Sequence, residues 1–418
     1  MYKVNVNICN ELEEQTYETT LENGLKVYIC KKPGFMRKIG MFGTKYGSIN
    51  NEFLDILTNN RIKVPDGIAH FLEHKLFEQE GANALDLFSK LGVSANAYTS
   101  YDQTVFYFET IVKFKESIKL LVKLVKTPYF TNENVYKEQG IIAQEIMMYD
   151  DDPSAMVYVN TLKAMYNINP VNIDIAGTVE SIANITKELL YTCYNTFYSP
   201  QNMFFIVIGD VDVNETINEI EENIKIYESN YGKSSKKEIQ KYYEIEDKNI
   251  NKSEIEIKMD IYMPQICIGY KLNVVDGKNN IKRQHLASII SDMYFSKSTD
   301  FFEIEYKKGI LTDPIDFEYE GSNTFSHTVL VANSTKIVEL KNDIFSYINK
   351  IKNEQIDDEL FNLIKKKKIG NLILSADNLN NSYRRIIEST LDNVEIYDDI
   401  KILDEINSSD IKEFFKLL

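Results

Sequence analysis

The order of secondary-structure signals in the first half of this 418-residue chain returns in the second half, displaced by about 220 residues. An apolar run at Ile39 to Tyr46 is matched by one at Ile266 to Tyr270, and a helix carrying His70 by one around His285 to Met293. The strand Val105 to Ile111 has its counterpart in Phe325 to Val331, and a helix starting near Asn132 in one starting near Asp357. A nearly constant shift is what duplication leaves behind, because each copy keeps its elements in order while loops absorb insertions. The chain is therefore expected to form two α+β halves of like fold, 1–227 and 251–418. Between them, 228–250 reads as a linker, polar and interrupted by Gly232 and the pair Ser234-Ser235.

Local signals fill in the first half. Tyr17 to Leu21 and Leu25 to Cys30 are short β-type runs around Asn23-Gly24, a hairpin turn signal, and Lys32-Pro33-Gly34 ends the second. Residues 50–66 are rich in Asn and Asp and read as a loop leading into the His70 helix. Asn83 is placed to cap a short helix through Leu91 that Gly92 stops. Ser94 to Ser100 and Val105 to Ile111 read as strands around Tyr101-Asp102-Gln103, and Ile118, Leu121, Val122 and Val125 repeat at helical spacing until Pro128. Asp150-Asp151-Asp152-Pro153 suits a turn and helix cap. Met203 to Val211 is a short apolar strand, and Lys365 to Lys368 form the solvated face of a helix.

The chemistry concentrates in His70-Phe71-Leu72-Glu73-His74, which holds two of only four histidines. On a helix the two imidazoles lie one turn apart on one face, and Glu73 leans toward that face at i+3 from His70. This is the zincin signature in inverted order. Zinc held by two such imidazoles keeps room for another protein ligand and a water, and a nearby carboxylate can take that water's proton. On the helix from Asn132, Glu138 and Glu145 share a face two turns apart, and a carboxylate there can complete a His₂Glu site. In the second copy His285-Leu286-Ala287-Ser288-Ile289 has one histidine and no acid, so His285 and His327 read as structural.

Composition narrows the partners. A formal charge of −16 argues against nucleic acid or an anionic membrane as the main partner and suits basic peptides. Met1 to Cys30 has no apolar run, and no later stretch approaches the ~20 residues of a membrane span, so a cytoplasmic chain without leader or anchor is expected. Cys9, Cys30, Cys193 and Cys267 are far apart in sequence and are expected as buried free thiols.

With these motifs in this order, the chain resembles the insulinase/pitrilysin (inverzincin) family of zinc peptidases, and within it the zinc-bearing chain of paired bacterial peptidases. The resemblance runs through Thr44-Lys45-Tyr46-Gly47-Ser48, Asp66 to Gln79, Ser94 to Thr99, Gln139 to Pro153, and Asp174-Ile175-Ala176-Gly177-Thr178-Val179-Glu180. It implies an α+β fold of two homologous halves, each a mainly antiparallel sheet with helices packed on one face. Such half-clamshells pair around an enclosed peptide chamber. It further implies His70, His74 and Glu145 as ligands of one Zn²⁺, Glu73 as general base, and Glu138 as the catalytic-site acid behind the ligands. Ser94 to Thr99 corresponds to the family's edge strand, on which a substrate peptide adds as a further strand through Asn96, Ala97, Tyr98 and Thr99.

Two departures stand out. The family's active pairs carry an arginine and a tyrosine seven apart in the second half to hold substrate and oxyanion. The matching stretch here is Glu305-Tyr306-Lys307-Lys308-Gly309-Ile310-Leu311-Thr312, with neither residue in place. The resemblance therefore implies a heterodimer in which a homologous chain without zinc supplies them. The alternatives are an autonomous homodimeric oligopeptidase, a leader peptidase for a ribosomal peptide product, and a zinc-binding scaffold that does not hydrolyse. The chain also stops at Leu418, soon after the helix Ser409 to Leu417, so the second sheet is expected to lack a strand or the C-terminus to be truncated.

Overall fold

The computed structural model describes residues 3–227 and 238–418, so much of the expected linker 228–250 lies outside the described residues. The first strands are β1 (Asn5–Cys9), β2 (Glu14–Thr20), β3 (Lys26–Lys31) and β4 (Lys38–Thr44). Gly24 makes the β2–β3 turn at φ +92°, a left-handed conformation open to glycine. Residues 50–66, expected as a loop, contain a small hairpin of β5 (Glu52–Leu54) and β6 (Arg61–Lys63). There follow α1 (Ile68–Phe77), the two-residue strands β7 (Glu78–Gln79) and β8 (Ala82–Asn83), and α2 (Ala84–Lys90), whose Asn83 side chain accepts from Leu85 N. The hairpin β9 (Ser94–Thr99) and β10 (Thr104–Thr110) leads to α3 (Phe114–Lys126) and the long α4 (Asn132–Asp150). Asp152 caps α5 (Pro153–Met165), as the acidic run predicts, with its carboxylate accepting from Ser154 N and Ala155 N. The series continues with α6 (Val179–Ile182), α7 (Lys187–Phe197), β11 (Met203–Gly209) and α8 (Val213–Tyr227).

The later elements are β12 (Gln265–Lys271), α9 (Gly277–Ile290), α10 (Asp300–Lys307), β13 (Asp316–Gly321) and β14 (Ser326–Asn333). Five helices close the chain: α11 (Ile337–Asn353), α12 (Asp358–Ser375), α13 (Leu379–Asp392), α14 (Asp398–Glu405) and α15 (Ser408–Phe415). The series β12, α9, β13, β14, α11, α12 repeats β4, α1, β9, β10, α3, α4, and the shift is again about 220 residues. The pairing repeats too, antiparallel β4-β10-β9 against β12-β14-β13.

The chain divides into two compact units. One comprises Met1–Met148, Ile173–Tyr243 and Ala376–Ile387, and the other Tyr149–Asn172, Glu244–Ser375 and Glu388–Leu418. The first unit holds a seven-stranded sheet of order β1-β2-β3-β11-β4-β10-β9, antiparallel except where β11 runs parallel to β3. Because side chains alternate across a strand, Val27, Ile29, Phe42, Phe106, Phe108, Phe205 and Val207 share one face. Phe71, Leu72 and Leu76 of α1, Leu121 and Val125 of α3, Ile142 of α4 and Ile220 of α8 belong to the same buried cluster. Full burial of each such side chain contributes about 1.5–3 kcal/mol, so this face fixes the position of α1 and α4 on the sheet. The second unit has a three-stranded sheet and its own core, including Ile289, Leu330, Ile344 and Phe414.

His327 lies wholly buried in that second unit, its ring nitrogens 3.1 Å from the Tyr166 hydroxyl and 3.3 Å from that of Tyr158. Burial pushes its pKa down to about 4. The unfolded chain therefore binds the proton more readily, and stability is lost as pH falls from 6.5 toward 4, by up to roughly 3 kcal/mol. Urea unfolding of His327→Gln and the unsubstituted chain at pH 7 and pH 4.5 checks this. The variant is expected to lose less stability between the two pH values. Cys9, Cys30 and Cys193 are buried free thiols as expected, and Cys267 is half-buried.

Candidate metal centre

Helix α1 starts where two backbones touch. Gly67 takes φ +86° just before it, and a Cβ there would come 2.3 Å from Ala176 O; Gly177, at φ +79°, would bring one 2.5 Å from Asp66 O. Only glycines allow this approach, and Ser181 Oγ closes it by donating to Asp66 O at 2.8 Å. The segment around Asp174 to Glu180 thus sets the start of α1. From that start, Phe71, Leu72 and Leu76 turn into the core and hold the helix rotation. His70 and His74 come out on one side, their ring centroids 4.5 Å apart.

Helix α4 brings its two glutamates to different atoms of this pair. Glu145 lies between the imidazoles, with its oxygens 3.7 Å from His70 Nε2 and 3.6 Å from His74 Nε2. Glu138 sits behind, where His74 Nδ1 donates to its Oε1 at 3.2 Å. The spacing of the two glutamates along the helix left open which imidazole atoms each one meets, and the structure places Glu145 against both Nε2 atoms and Glu138 against His74 Nδ1. The distances to Glu145 exceed hydrogen-bond length, so direct bonding does not explain the convergence. One ligand atom from each of His70, His74 and Glu145 falls within 4.8 Å of the other two, and two imidazoles with a carboxylate are a zinc donor set. The residues present fit the metal.

Electrostatics prepare these groups unequally. Burial, reinforced by the neighbouring His74, pushes His70 down to about 3, so its ring stays neutral and able to donate a lone pair. Burial also lowers His74, but the hydrogen bond to Glu138 and the charges of Glu73, Glu138 and Glu145 outweigh it and leave its pKa raised. For Glu138 the order reverses: burial raises it, and His74 and Lys75 together bring it below the ordinary carboxylate value. Glu73 is raised by burial, which the hydrogen bond from Thr99 only partly opposes. Thr99 Oγ1 donates to Glu73 Oε2 at 2.6 Å and so orients that carboxylate.

The edge strand meets the site at the same point. Strand β9 ends the sheet, paired among the described residues only with β10, Tyr98 opposite Val105 and Thr99 opposite Thr104. Its outer edge has no strand partner among the described residues, and on β9 the Ala97 amide donates to Asn96 Oδ1 at 2.9 Å. Ala97 and Thr99 face the helix side, Ala97 packing on the core, while Asn96 and Tyr98 point to the opposite face. Lys75, missed from sequence, is fully buried and pairs with Glu78 and with Glu138 Oε2, the latter at 3.4 Å. It had a signal: it stands three residues after Leu72 in the apolar stripe of α1, where a lysine must find a buried partner.

An inverted histidine pair, an acid from a second helix and the last strand of the sheet thus meet in the first unit. The chain belongs to the insulinase family: residues 63–179 match the profile for Insulinase (Peptidase family M16), and residues 184–368 match the Peptidase M16 inactive domain. It is 35% identical over 404 residues to YmfH of Bacillus subtilis (strain 168), described as an uncharacterized zinc protease, covering 96% of this chain and 93% of that one. Among solved structures, a putative M16-like peptidase from Alicyclobacillus acidocaldarius superposes with a TM-score of 0.89 at 31% identity, over 100% of this chain and 95% of that one. A protease from Helicobacter pylori shares the fold at TM-score 0.82 and 20% identity, over 96% of both chains.

Proposed function

We propose that this chain is the zinc-bearing subunit of a peptide hydrolase that cleaves extended peptides in a chamber closed by a second, homologous chain. The observation that carries the reading is the meeting of His70, His74 and Glu145 beside Glu73, next to the open edge of β9. His70 Nε2, His74 Nε2 and a Glu145 carboxylate oxygen would hold the metal. Zinc, when bound, supplies a Lewis acid that polarises a carbonyl and lowers the pKa of water toward about 7.

The chain's own groups do the rest. Glu138 accepts from His74 Nδ1 and so leaves His74 Nε2 as the donor atom. The backbone of β9 orients a peptide by strand addition, which tolerates many sequences. Glu73, held by Thr99 and raised in proton affinity, takes a proton from the attacking water at a carboxylate oxygen. It then delivers that proton to the leaving amine nitrogen.

A partner is part of the reading because the second unit has Glu305 and Thr312 at the two positions, seven apart, where the active pairs carry the arginine and the tyrosine. Its Lys308 is engaged by Glu305 Oε1 at 2.8 Å and Asp343 at 3.1 Å. A homologous chain without zinc would supply the pair, making a heterodimer. The free cysteines suit a reducing compartment such as the cytoplasm, and among the described residues no helix is long and apolar enough to cross a membrane. Hydrolysis of a mixed quenched-peptide set by the zinc-loaded chain, alone and with a homologous non-zinc chain, tests the pairing. Cleavage only in the mixture supports it, whereas equal cleavage by the chain alone makes the enzyme autonomous and removes the need for the second chain.

A further inference from the structure

A lysine with no exposed surface in the last turn of the helix that carries both histidines needs a reason. Lys75 sits among Phe71, Leu72 and Leu76, all fully buried, where methionine or leucine would pack without removing a charge from water. Burying an ammonium costs several kcal/mol before its partners offset it, and replacing a buried ion pair by apolar side chains is often neutral or stabilising. Fold stability alone therefore does not account for a lysine here.

Its partners do. The Lys75 ammonium pairs with Glu78 and reaches Glu138 Oε2 at 3.4 Å, while the other oxygen of Glu138 takes the hydrogen bond from His74 Nδ1 at 3.2 Å. The Glu138 carboxylate thus spans two fixed groups, with one oxygen on the cation and one on the ring. We infer that Lys75 is a positioning residue for the metal centre, acting on His74 through Glu138. The inference rests on the zinc reading given above.

The physical sense is direct. Glu138 is 8% exposed, and such burial disfavours a carboxylate that lacks fixed partners. Lys75 supplies an opposite charge 3.4 Å from Glu138 Oε2, which stops the carboxylate from turning away from the ring. A fixed anion behind Nδ1 holds the ring orientation and tautomer and strengthens Nε2 as a donor. A lysine that only stapled α1 to α4 would add to stability without affecting the metal.

The test compares zinc dissociation constants, by chelator competition, for the unsubstituted chain, Lys75→Met, Glu138→Gln and the double variant, with folding followed by circular dichroism. Lys75→Met is expected to weaken zinc by about 10-fold, at the lower end of the 10–100-fold range for such outer partners. The double variant is expected to bind no more weakly than Glu138→Gln alone, because the lysine acts through the carboxylate. Unchanged affinity in Lys75→Met would overturn the inference, as would a further tenfold loss on adding Lys75→Met to Glu138→Gln. If Lys75→Met alone does not fold, Lys75→Gln, which keeps a donor toward Glu138 without the charge, takes its place with the same two outcomes. Zinc affinity is read without any peptide, so a chain that binds zinc but cleaves nothing would sink the peptidase reading and leave this result standing. An unsubstituted chain that binds no zinc would overturn both.

Discussion

Glu73→Gln is expected to leave the zinc content of the purified chain unchanged while lowering peptide hydrolysis by about 10²–10⁴-fold, the range for loss of a general acid–base group. That corresponds to about 3–5 kcal/mol of transition-state stabilisation. The two effects separate because Glu73 is outside the donor set: its Oε2 is held by Thr99, and the converging atoms belong to His70, His74 and Glu145. The glutamine keeps shape and can still accept from Thr99, but it cannot take a proton from water. Metal analysis and hydrolysis of a quenched peptide by the same preparation check both halves. Loss of zinc together with activity would move Glu73 from proton transfer to metal holding.

Glu145→Gln is expected to do the reverse and release the metal. Glu145 is the negative group between the two imidazole Nε2 atoms, and a neutral amide there leaves two neutral rings to hold a dication. The loss in zinc affinity should exceed the ~10–100-fold that outer partners cost. Chelator competition against Glu138→Gln, which removes only the negative charge behind His74, gives the comparison. Equal losses from the two substitutions would mean that the two glutamates share the metal instead of dividing the work.

Much of this was legible in the chain, for physical reasons that also mark where it stopped being so. Helical periodicity is local, so the facing of His70 and His74 and the shared side of Glu138 and Glu145 follow from spacing. Which glutamate meets Nε2 and which meets Nδ1 depends on how α4 crosses α1, and the core around Phe71 and Ile142 decides that. Strands with apolar runs, such as Met203 to Gly209, are readable; β13, with sequence Asp-Phe-Glu-Tyr-Glu-Gly, and the three-residue β5 and β6 carry too little apolar signal. The close approach of Gly67 and Gly177 joins positions far apart in sequence, so neither glycine announces it. The make-up of the units is non-local as well: Tyr149–Asn172 is grouped with the later unit and Ala376–Ile387 with the earlier one.

The central claim is that a metal held by His70, His74 and Glu145 makes this chain a peptide hydrolase. The most direct measurement is cleavage of a quenched-peptide set by one preparation, with a homologous non-zinc chain present, as loaded, after chelation, and after return of one equivalent of zinc. The account predicts cleavage that disappears on chelation and returns with the single equivalent. Cleavage that survives complete removal of zinc, or a zinc-loaded pair that cleaves nothing, would contradict it.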